Sequence, residues 1–374
     1  MVSKFILVSA LAWSAAAVAA SWLLPERLRP WAIAACGAGL LACVSPLSLA
    51  LLTAGAALAF AVARLRAGRV QAIGAAVTLI VAAYVWLLWG GRKSPDPDLL
   101  SLVLPLGAAY YVLRLIHYLV ETHKETLRPH GPGEYLAWLF LPSALPVGPI
   151  HRFDEFQRDW RRRRWDGALF GFGLTRILSG AAKLVLISNY LVALKLAPAL
   201  QGAAALGPVA EVYAISLLFW INLYVQFSGY TDAAIGFAAL AGFRLRENFD
   251  WPFLARNIGD FWRRWHMSLS SWCRDYVYAP VAAVTRSHLV AITAAMLTLG
   301  LWHAISLHYV LWGLYHALGL TVWRAFHARA DAAYQALPPP ARFVWTAAAT
   351  FLTLNFVMLS FPVTTAVERL ILGG

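Results

Sequence analysis

Charged residues are scarce in this chain. Asp, Glu, Lys and Arg make up 13% of its 374 residues, against about 25% in a typical soluble domain. Hydrophobic residues make up 60%, and the chain has 17 tryptophans, a residue that gathers where a membrane meets water. The composition therefore excludes an ordinary soluble protein and predicts one embedded in a lipid bilayer.

Acidic residues are the scarcer of the two signs, so the net charge is +13. The basic residues stand in short clusters between apolar segments, as at 64–69, 92–93 and 161–164. This pattern is typical of cytoplasmic loops under the positive-inside rule. The sequence therefore predicts cytoplasmic loops at these clusters and no nucleic-acid partner.

Cysteine and the common catalytic motifs are also missing or nearly so. The three cysteines form no CxxC or CxxCH, which argues against a disulfide framework or a metal site. No HExxH, P-loop or GxSxG is present. We interpret Cys273 as a packing residue rather than a nucleophile. The sequence thus predicts no metal and no bound cofactor, and it leaves histidine as a general base acting on a hydroxyl or water.

Long apolar runs are what the chain does have, and a helix needs about 20 such residues to cross a bilayer. Pro46 interrupts the run 31–63, and Pro142, Pro146 and Pro149 make 134–150 a predicted re-entrant segment. The first segment is interpreted as a retained membrane anchor rather than a cleaved signal peptide. The candidate segments are 5–24, 31–44, 46–63, 70–90, 99–120, 134–150, 168–196, 208–228, 230–243, 288–302, 305–326 and 342–361.

The fold predicted from these runs is all-α: a polytopic membrane helical bundle of roughly ten spans with re-entrant and interfacial helices. We expect a single membrane-embedded domain over residues 1–374. The apolar run 289–323 is too long for one crossing, so we expect it to divide between Gly300 and Ser306.

The stretch 248–280 combines Trp, His, Arg and Asp at a density that is costly near a bilayer. Within 256–276 the apolar residues recur at helical spacing, which predicts one amphipathic helix. Such a helix could be a plain interfacial anchor or could line a site. A second histidine, His303, lies in the apolar run and could equally be a packing residue, because His308 and His316 are close by.

Four stretches resemble the membrane-bound O-acyltransferase family, in the bacterial branch of the alginate O-acetylation membrane protein and the teichoic-acid D-alanyl transfer protein. The stretches follow one another in the same order as in the family and together extend over about half the chain. The second and third are the most specific to the family. The four stretches are PSALPVGPIHRFDEF (142–156), QFSGYTDAAIGFAALAGFRLRENFDWPFLARNI (226–258), DFWRRWHMSLSSWCRDYVYAP (260–280) and GLWHAISLHYVLWGLYH (300–316).

This resemblance implies an MBOAT-like fold with a tunnel and two catalytic residues, His303 as the essential histidine and His266 as the second polar position. PVAAVTR stands where the family usually has a Gly-Gly-Asn-Arg turn, and Cys273 stands where it has a bulky apolar residue. The residues predicted to bind substrate or line the tunnel are Trp302, Trp265, Arg263, Arg264, Asp260, Asn248, Asp232, Gln226, Ser268, Arg274 and Asp275.

The function that the resemblance implies is transfer of a short acyl group, acetyl in the first instance, to a hydroxyl. The donor is expected to be a coenzyme A thioester or an acyl-carrier thioester in the cytoplasm. The acceptor would be an extracytoplasmic envelope glycan, or a partner acyltransferase outside the membrane. The location expected is the bacterial cytoplasmic (inner) membrane. D-alanyl transfer from a carrier protein remains an alternative, as do a proton-coupled transporter that uses both histidines with Asp232, and a catalytically silent scaffold.

Overall fold

A computed structural model of the chain describes residues 4–65, 68–91, 107–201 and 207–373. Over these residues the chain is helical, and no β-strand is present apart from an isolated bridge between Phe249 and Trp265. The predicted all-α class is therefore confirmed. Arg66, Arg92, Lys93 and the first part of the predicted segment 99–120 lie outside the described residues.

The chain forms two compact units. The first comprises Met1–Ala182 with Gly229–Arg246, and the second comprises Lys183–Ser228 with Glu247–Gly374. The prediction of a single functional domain stays a prediction. Helices of the first unit are α1 (Lys4–Leu23), α2 (Arg29–Val44), α3 (Pro46–Ala63), α4 (Arg69–Gly91), α5 (Ala108–His123), α6 (Pro132–Leu139), α7 (Phe153–Arg162) and α8 (Gly167–Ala182).

The second unit begins with a π-helical stretch, Lys183–Leu196, that continues α8, followed by α9 (Ala197–Gln201). Helix α10 (Pro208–Leu240) begins in the second unit and ends in the first. The remaining helices of the second unit are α11 (Ile258–Arg264), α12 (Met267–Cys273), α13 (Ala279–Thr285), α14 (His288–His303), α15 (Leu307–Ala336), α16 (Pro339–Met358) and α17 (Ser360–Leu372).

Six helical stretches of the described chain are long and apolar enough to cross a bilayer. They are Phe5–Leu23, Pro46–Ala63, Arg69–Trp89, Gly167–Leu200, Ala210–Leu240 and Pro339–Met358, and α2 and α14 are shorter apolar helices. The prediction of a multi-pass membrane protein is confirmed. The break at Pro46 is also confirmed, because the Ser45 hydroxyl accepts a hydrogen bond from the Ser48 amide and caps α3.

Two predicted boundaries are wrong. Segments 208–228 and 230–243 form one helix, α10, which passes straight through Gly229. A single glycine costs a helix only about 1 kcal/mol, too little to end a long apolar helix. A Cβ added at Gly180 of α8 would lie 2.6 Å from the Gly229 carbonyl oxygen, so the two helices are close enough to need small residues there.

The second wrong boundary concerns 256–276, which is not one amphipathic helix but the two short helices α11 and α12. They meet at His266, whose φ of 43° lies in the left-handed region. That conformation is unfavourable for a residue with a side chain and must be held by its surroundings. The helical spacing still marks buried positions, because Phe261, Trp265, Leu269 and Trp272 are all buried.

Candidate active site

The turn that carries His266 is held by the segment just before α11. The Met267 amide donates to the Asn248 carbonyl oxygen at 2.9 Å, and the Asp250 amide donates to the Arg264 carbonyl oxygen at 3.0 Å. The Asn248 side-chain oxygen also accepts from the Ser268 hydroxyl at 2.6 Å. Asn248 is fully buried, so this arrangement fixes the strained His266 backbone from both sides.

The His266 side chain is 3% exposed and lies among aromatic rings. Its ring is edge-to-face with Phe227, with centroids 4.7 Å apart, and 6.0 Å from the ring of Trp302. Burial, followed by the nearby His303, lowers the pKa of His266 to about 3. His266 is therefore a neutral imidazole at physiological pH, able to donate one hydrogen bond and accept another.

His303 is the last residue of α14, and its position depends on a close helix hairpin. A Cβ at Gly300 would lie 2.3 Å from the Tyr309 carbonyl oxygen, and one at Gly313 would lie 2.8 Å from the Met296 carbonyl oxygen. Only glycine lets α14 and α15 approach so closely. The junction predicted between Gly300 and Ser306 is confirmed, since α14 ends at His303 and α15 begins at Leu307.

Three aromatic rings surround the His303 imidazole, whose side chain remains exposed. It stacks on Tyr309 at a centroid distance of 5.4 Å and lies edge-to-face with Trp312 at 5.9 Å. Trp302 contacts it at 4.7 Å and also contacts His266 at 6.0 Å. One indole therefore touches both histidines. An exposed imidazole beside a buried neutral one is suited to move a proton while its neighbour orients a polar group.

A comparison with known families identifies the family of the chain. The model of the membrane-bound O-acyltransferase family matches residues 75–361, which include both histidines and every residue predicted for the site. The chain belongs to the membrane-bound O-acyltransferase family. The resemblance found in the sequence is thereby confirmed.

The names of several relatives in this family indicate that those proteins act on bacterial envelope polymers. The chain is 33% identical over 241 residues to the probable alginate O-acetylase of Pseudomonas aeruginosa, covering 62% of this chain and 45% of the relative. It is 29% identical over 315 residues to the teichoic acid D-alanyltransferase of Bacillus subtilis, covering 77% and 76%. It is 28% identical over 260 residues to the peptidoglycan O-acetyltransferase of Helicobacter pylori, covering 61% and 49%. The chain spans about half the length of the alginate O-acetylases that it matches.

Four of the residues predicted to line the site lie close to one or both of the two histidines. Trp302 touches both rings, while Asn248 and Ser268 hold the turn that carries His266. Trp265 is buried against Trp220 and Phe249, at centroid distances of 5.4 and 5.1 Å. Whether any of them binds substrate stays a prediction, but Asn248, Ser268 and Trp265 already have structural roles.

The predicted charged residues of 260–275 pair mainly with one another. Asp260 lies 3.0 Å from the Nε of Arg264 and 3.5 Å from a guanidinium nitrogen of Arg263. Arg274 lies 2.9 Å from Asp275, and the Arg274 side chain is 65% exposed. These contacts support α11 and the start of the next helical turn, and none of them reaches either histidine ring.

Two predicted residues remain, Asp232 and Gln226. Asp232 belongs to the first unit, where its carboxylate lies 2.6 Å from Arg176 of α8. Gln226 is half-buried on α10, next to Phe227 in sequence. Their proposed roles in substrate binding stay predictions.

Sequence reasoning missed Phe227, Tyr309 and Trp312, the rings that pack on the two imidazoles. The spacing of aromatic residues in the sequence could have indicated Tyr309 and Trp312. Trp312 and His316 are four residues apart on α15, with ring centroids at 4.5 Å, and Tyr309 precedes Trp312 by three. That spacing places the three on one helix face. Phe227 had no comparable signal, because it lies in a long apolar helix.

Proposed function

We propose that this protein is a membrane O-acyltransferase that moves a short acyl group, acetyl in the first instance, from a cytoplasmic thioester to a hydroxyl outside the cytoplasm. His303 acts as the general base. The observation that carries the proposal is the exposed His303 imidazole, which three aromatic rings hold next to the buried His266.

The proposed chemistry is direct transfer. His303 takes the proton of the acceptor hydroxyl as its oxygen attacks the thioester carbonyl, and the thiolate leaves with that proton after the tetrahedral intermediate collapses. His266, neutral and buried, orients the acceptor or donates a hydrogen bond to the developing oxyanion. General-base assistance of this kind is worth about 10²–10⁴-fold in rate. No covalent acyl-enzyme is needed.

The substrates proposed follow from the relatives and from the charge of the chain. Coenzyme A and carrier-protein thioesters are both anionic, which suits the basic loops predicted to face the cytoplasm. The acceptor proposed is an envelope polysaccharide, reached directly or through a separate acyltransferase outside the membrane. The bacterial cytoplasmic membrane is the proposed location, since it separates such a donor from such an acceptor.

D-alanyl transfer from a carrier protein is the second candidate. It is favoured by the broader match to the Bacillus subtilis D-alanyltransferase, which covers 77% of this chain. Both candidates use the same two histidines and differ only in the acyl group and its carrier.

The experiment that tests the proposal measures ester groups on envelope polymers. Cells that lack the gene should lose base-labile ester while still exporting the polymer, and the acid released by mild alkali identifies acetate or D-alanine. His303→Ala should reproduce the loss, with activity reduced by at least about 100-fold. His327→Ala is the matched control, because among the described residues His327 hydrogen-bonds only to the Arg324 carbonyl oxygen of its own helix. Unchanged ester content with halted polymer export would instead support a transporter.

A further inference from the structure

The first unit contains a buried polar cluster of its own. Helix α5 and the chain segment 145–153 lie side by side there. A Cβ at Gly107 would lie 2.2 Å from the Leu145 carbonyl oxygen, and the His117 Nε2 accepts a hydrogen bond from the Phe153 amide at 2.9 Å. These two contacts hold the first part of α5 alongside the segment, and Arg114 and His151 both lie between them in sequence.

Arg114 lies on α5 between these two contacts, three residues before His117. Its side chain is 1% exposed, and none of its three guanidinium nitrogens donates a hydrogen bond to any described residue. No described carboxylate forms an ion pair with it. A buried charge without a partner is strongly unfavourable, and natural proteins pair such groups or use them to bind ligands.

His151, two residues before Phe153 in the facing segment, is also fully buried. Neither of its ring nitrogens has a hydrogen-bond partner in the part of the chain that the structure describes. Its backbone is fixed, because the Trp138 indole donates to the His151 carbonyl oxygen at 3.2 Å. Burial, followed by the nearby charge of Arg114, lowers the pKa of His151 to about 3. His151 is thus a neutral donor close to an unpaired cation.

An open cavity lies one turn farther along α5. Tyr118 forms part of its wall, and Tyr118 follows Arg114 by four residues, about 6 Å along the helix. The other walls include Arg64, Arg69 and Arg128, with one acid, Glu125, 3.5 Å from Arg69. The cavity is therefore positively lined and favours an anion.

We propose that Arg114 and His151 form a buried binding site for a phosphate group. The guanidinium fork matches the oxygens of a phosphate, and a tetrahedral anion can present oxygens to a helix and to a facing loop at the same time. The rest of the ligand would occupy the cavity beside Tyr118. The site rests on its own unpaired groups and stands whether or not the proposed acyl transfer is correct.

Two sources of phosphate fit this chemistry: a soluble phosphate ester such as coenzyme A, and the headgroup of a phospholipid. An internal partner is the competing explanation. Asp96 and Asp98 lie outside the described residues, so the test includes them.

The experiment measures the thermal unfolding of the full-length protein in detergent with four added probes. These are inorganic phosphate, coenzyme A, phosphatidylglycerol and, as the uncharged lipid control, diacylglycerol. A saturating phosphate ligand should raise the Tm of the wild type by about 3 °C. Stabilisation by coenzyme A without phosphatidylglycerol identifies the soluble source, and the reverse identifies the lipid. Either outcome supports the site when Arg114→Met removes that stabilisation, which separates it from binding of coenzyme A as the proposed acyl donor.

Three variants locate the effect. Arg114→Met should abolish the shift while its own Tm without ligand equals or exceeds that of the wild type, because a buried unpaired charge is gone. His151→Phe should weaken the shift. Arg164→Met, at an exposed arginine, should retain it in full.

The proposal is overturned if no phosphate probe stabilises the wild type or if Arg114→Met is stabilised equally. It is also overturned by strong coupling between Arg114→Met and either Asp96→Asn or Asp98→Asn in a double-mutant cycle, which would reveal an internal ion pair.

Discussion

The imidazole of His303 stacks on the phenol ring of Tyr309, with ring centroids 5.4 Å apart and ring planes 20° apart. His303 ends α14 and Tyr309 lies in the first turn of α15, so the stack bridges the junction between the two helices. A general base must hold one orientation to take a proton efficiently. The Tyr309 ring is well placed to supply that restraint on His303.

Tyr309→Leu should therefore lower kcat by about 10-fold with little change in KM, because an aromatic pair contributes about 0.5–1.5 kcal/mol. Tyr309→Phe keeps the ring and should stay within about twofold of wild type. Steady-state kinetics of the purified protein distinguish the two. Equal activity of the Leu and Phe variants would show that the stack does not position His303.

The pair Asn248–Ser268 should support both stability and turnover. Asn248→Ala removes the acceptor of the Ser268 hydroxyl in a fully buried place. An unsatisfied buried donor costs about 1–3 kcal/mol, so the free energy of unfolding should fall by that amount. Turnover should fall as well, because the turn at His266 loosens.

A double-mutant cycle with Ser268→Ala provides the control for that prediction. Coupling of at least about 0.5 kcal/mol between the two substitutions is expected for groups in direct contact. Strictly additive effects would mean that the hydrogen bond does not stabilise the turn.

Asp232 should matter for stability of the first unit rather than for turnover. Its carboxylate is 5% exposed and pairs with Arg176 at 2.6 Å, so Asp232→Asn leaves a partly buried arginine with a weaker partner. Loss of one member of a buried pair costs about 3–5 kcal/mol. Because Asn retains a hydrogen-bond acceptor, the loss in free energy of unfolding should be about 3 kcal/mol or less.

Arg274→Ala is the matched control, since its pair with Asp275 is largely exposed. It should change the free energy of unfolding by no more than about 1 kcal/mol. Denaturation in detergent measures both changes. A loss of turnover in well-folded Asp232→Asn protein would instead place Asp232 in the reaction or in a proton path.

Acid should destabilise the protein partly through His266. Its folded pKa, about 3, is below the ordinary value of about 6.5 expected in the unfolded chain. Between those values the unfolded state binds a proton that the folded state does not. The free energy of unfolding is therefore unaffected by the titration of His266 above about pH 6.5. Between about pH 6.5 and pH 3 it falls by about 1.4 kcal/mol for each pH unit.

His266→Phe removes that titration. The drop in Tm between pH 7.5 and pH 4.5 should therefore be smaller for this variant than for the wild type. The same low pKa predicts that His266 adds no limb to the pH–rate profile between pH 5 and 8. Identical acid sensitivity of the two proteins would contradict a buried neutral His266.

Much of the helix order was predictable because it depends on local features of the chain. Apolar runs long enough to cross a bilayer become helices, and proline cannot donate to the helical ladder, so the breaks at Pro46 and before Pro142 follow directly. The junction after His303 followed from length alone, since one helix over 289–323 would be far longer than a bilayer is thick. The two histidines were recognisable from the stretches around them.

Only the tertiary structure decided what each of these side chains touches. Residues that meet in space are far apart in the sequence: His266 meets Phe227 and Trp302, and Asp232 meets Arg176. The kink at His266 could not be read from the helical spacing of 256–276, because hydrogen bonds that Asn248 accepts from Met267 and Ser268 hold it. Periodicity specifies which face of a helix is buried. It does not specify the partner of that face, and for that reason the unpaired guanidinium of Arg114 became visible only after the chain had folded.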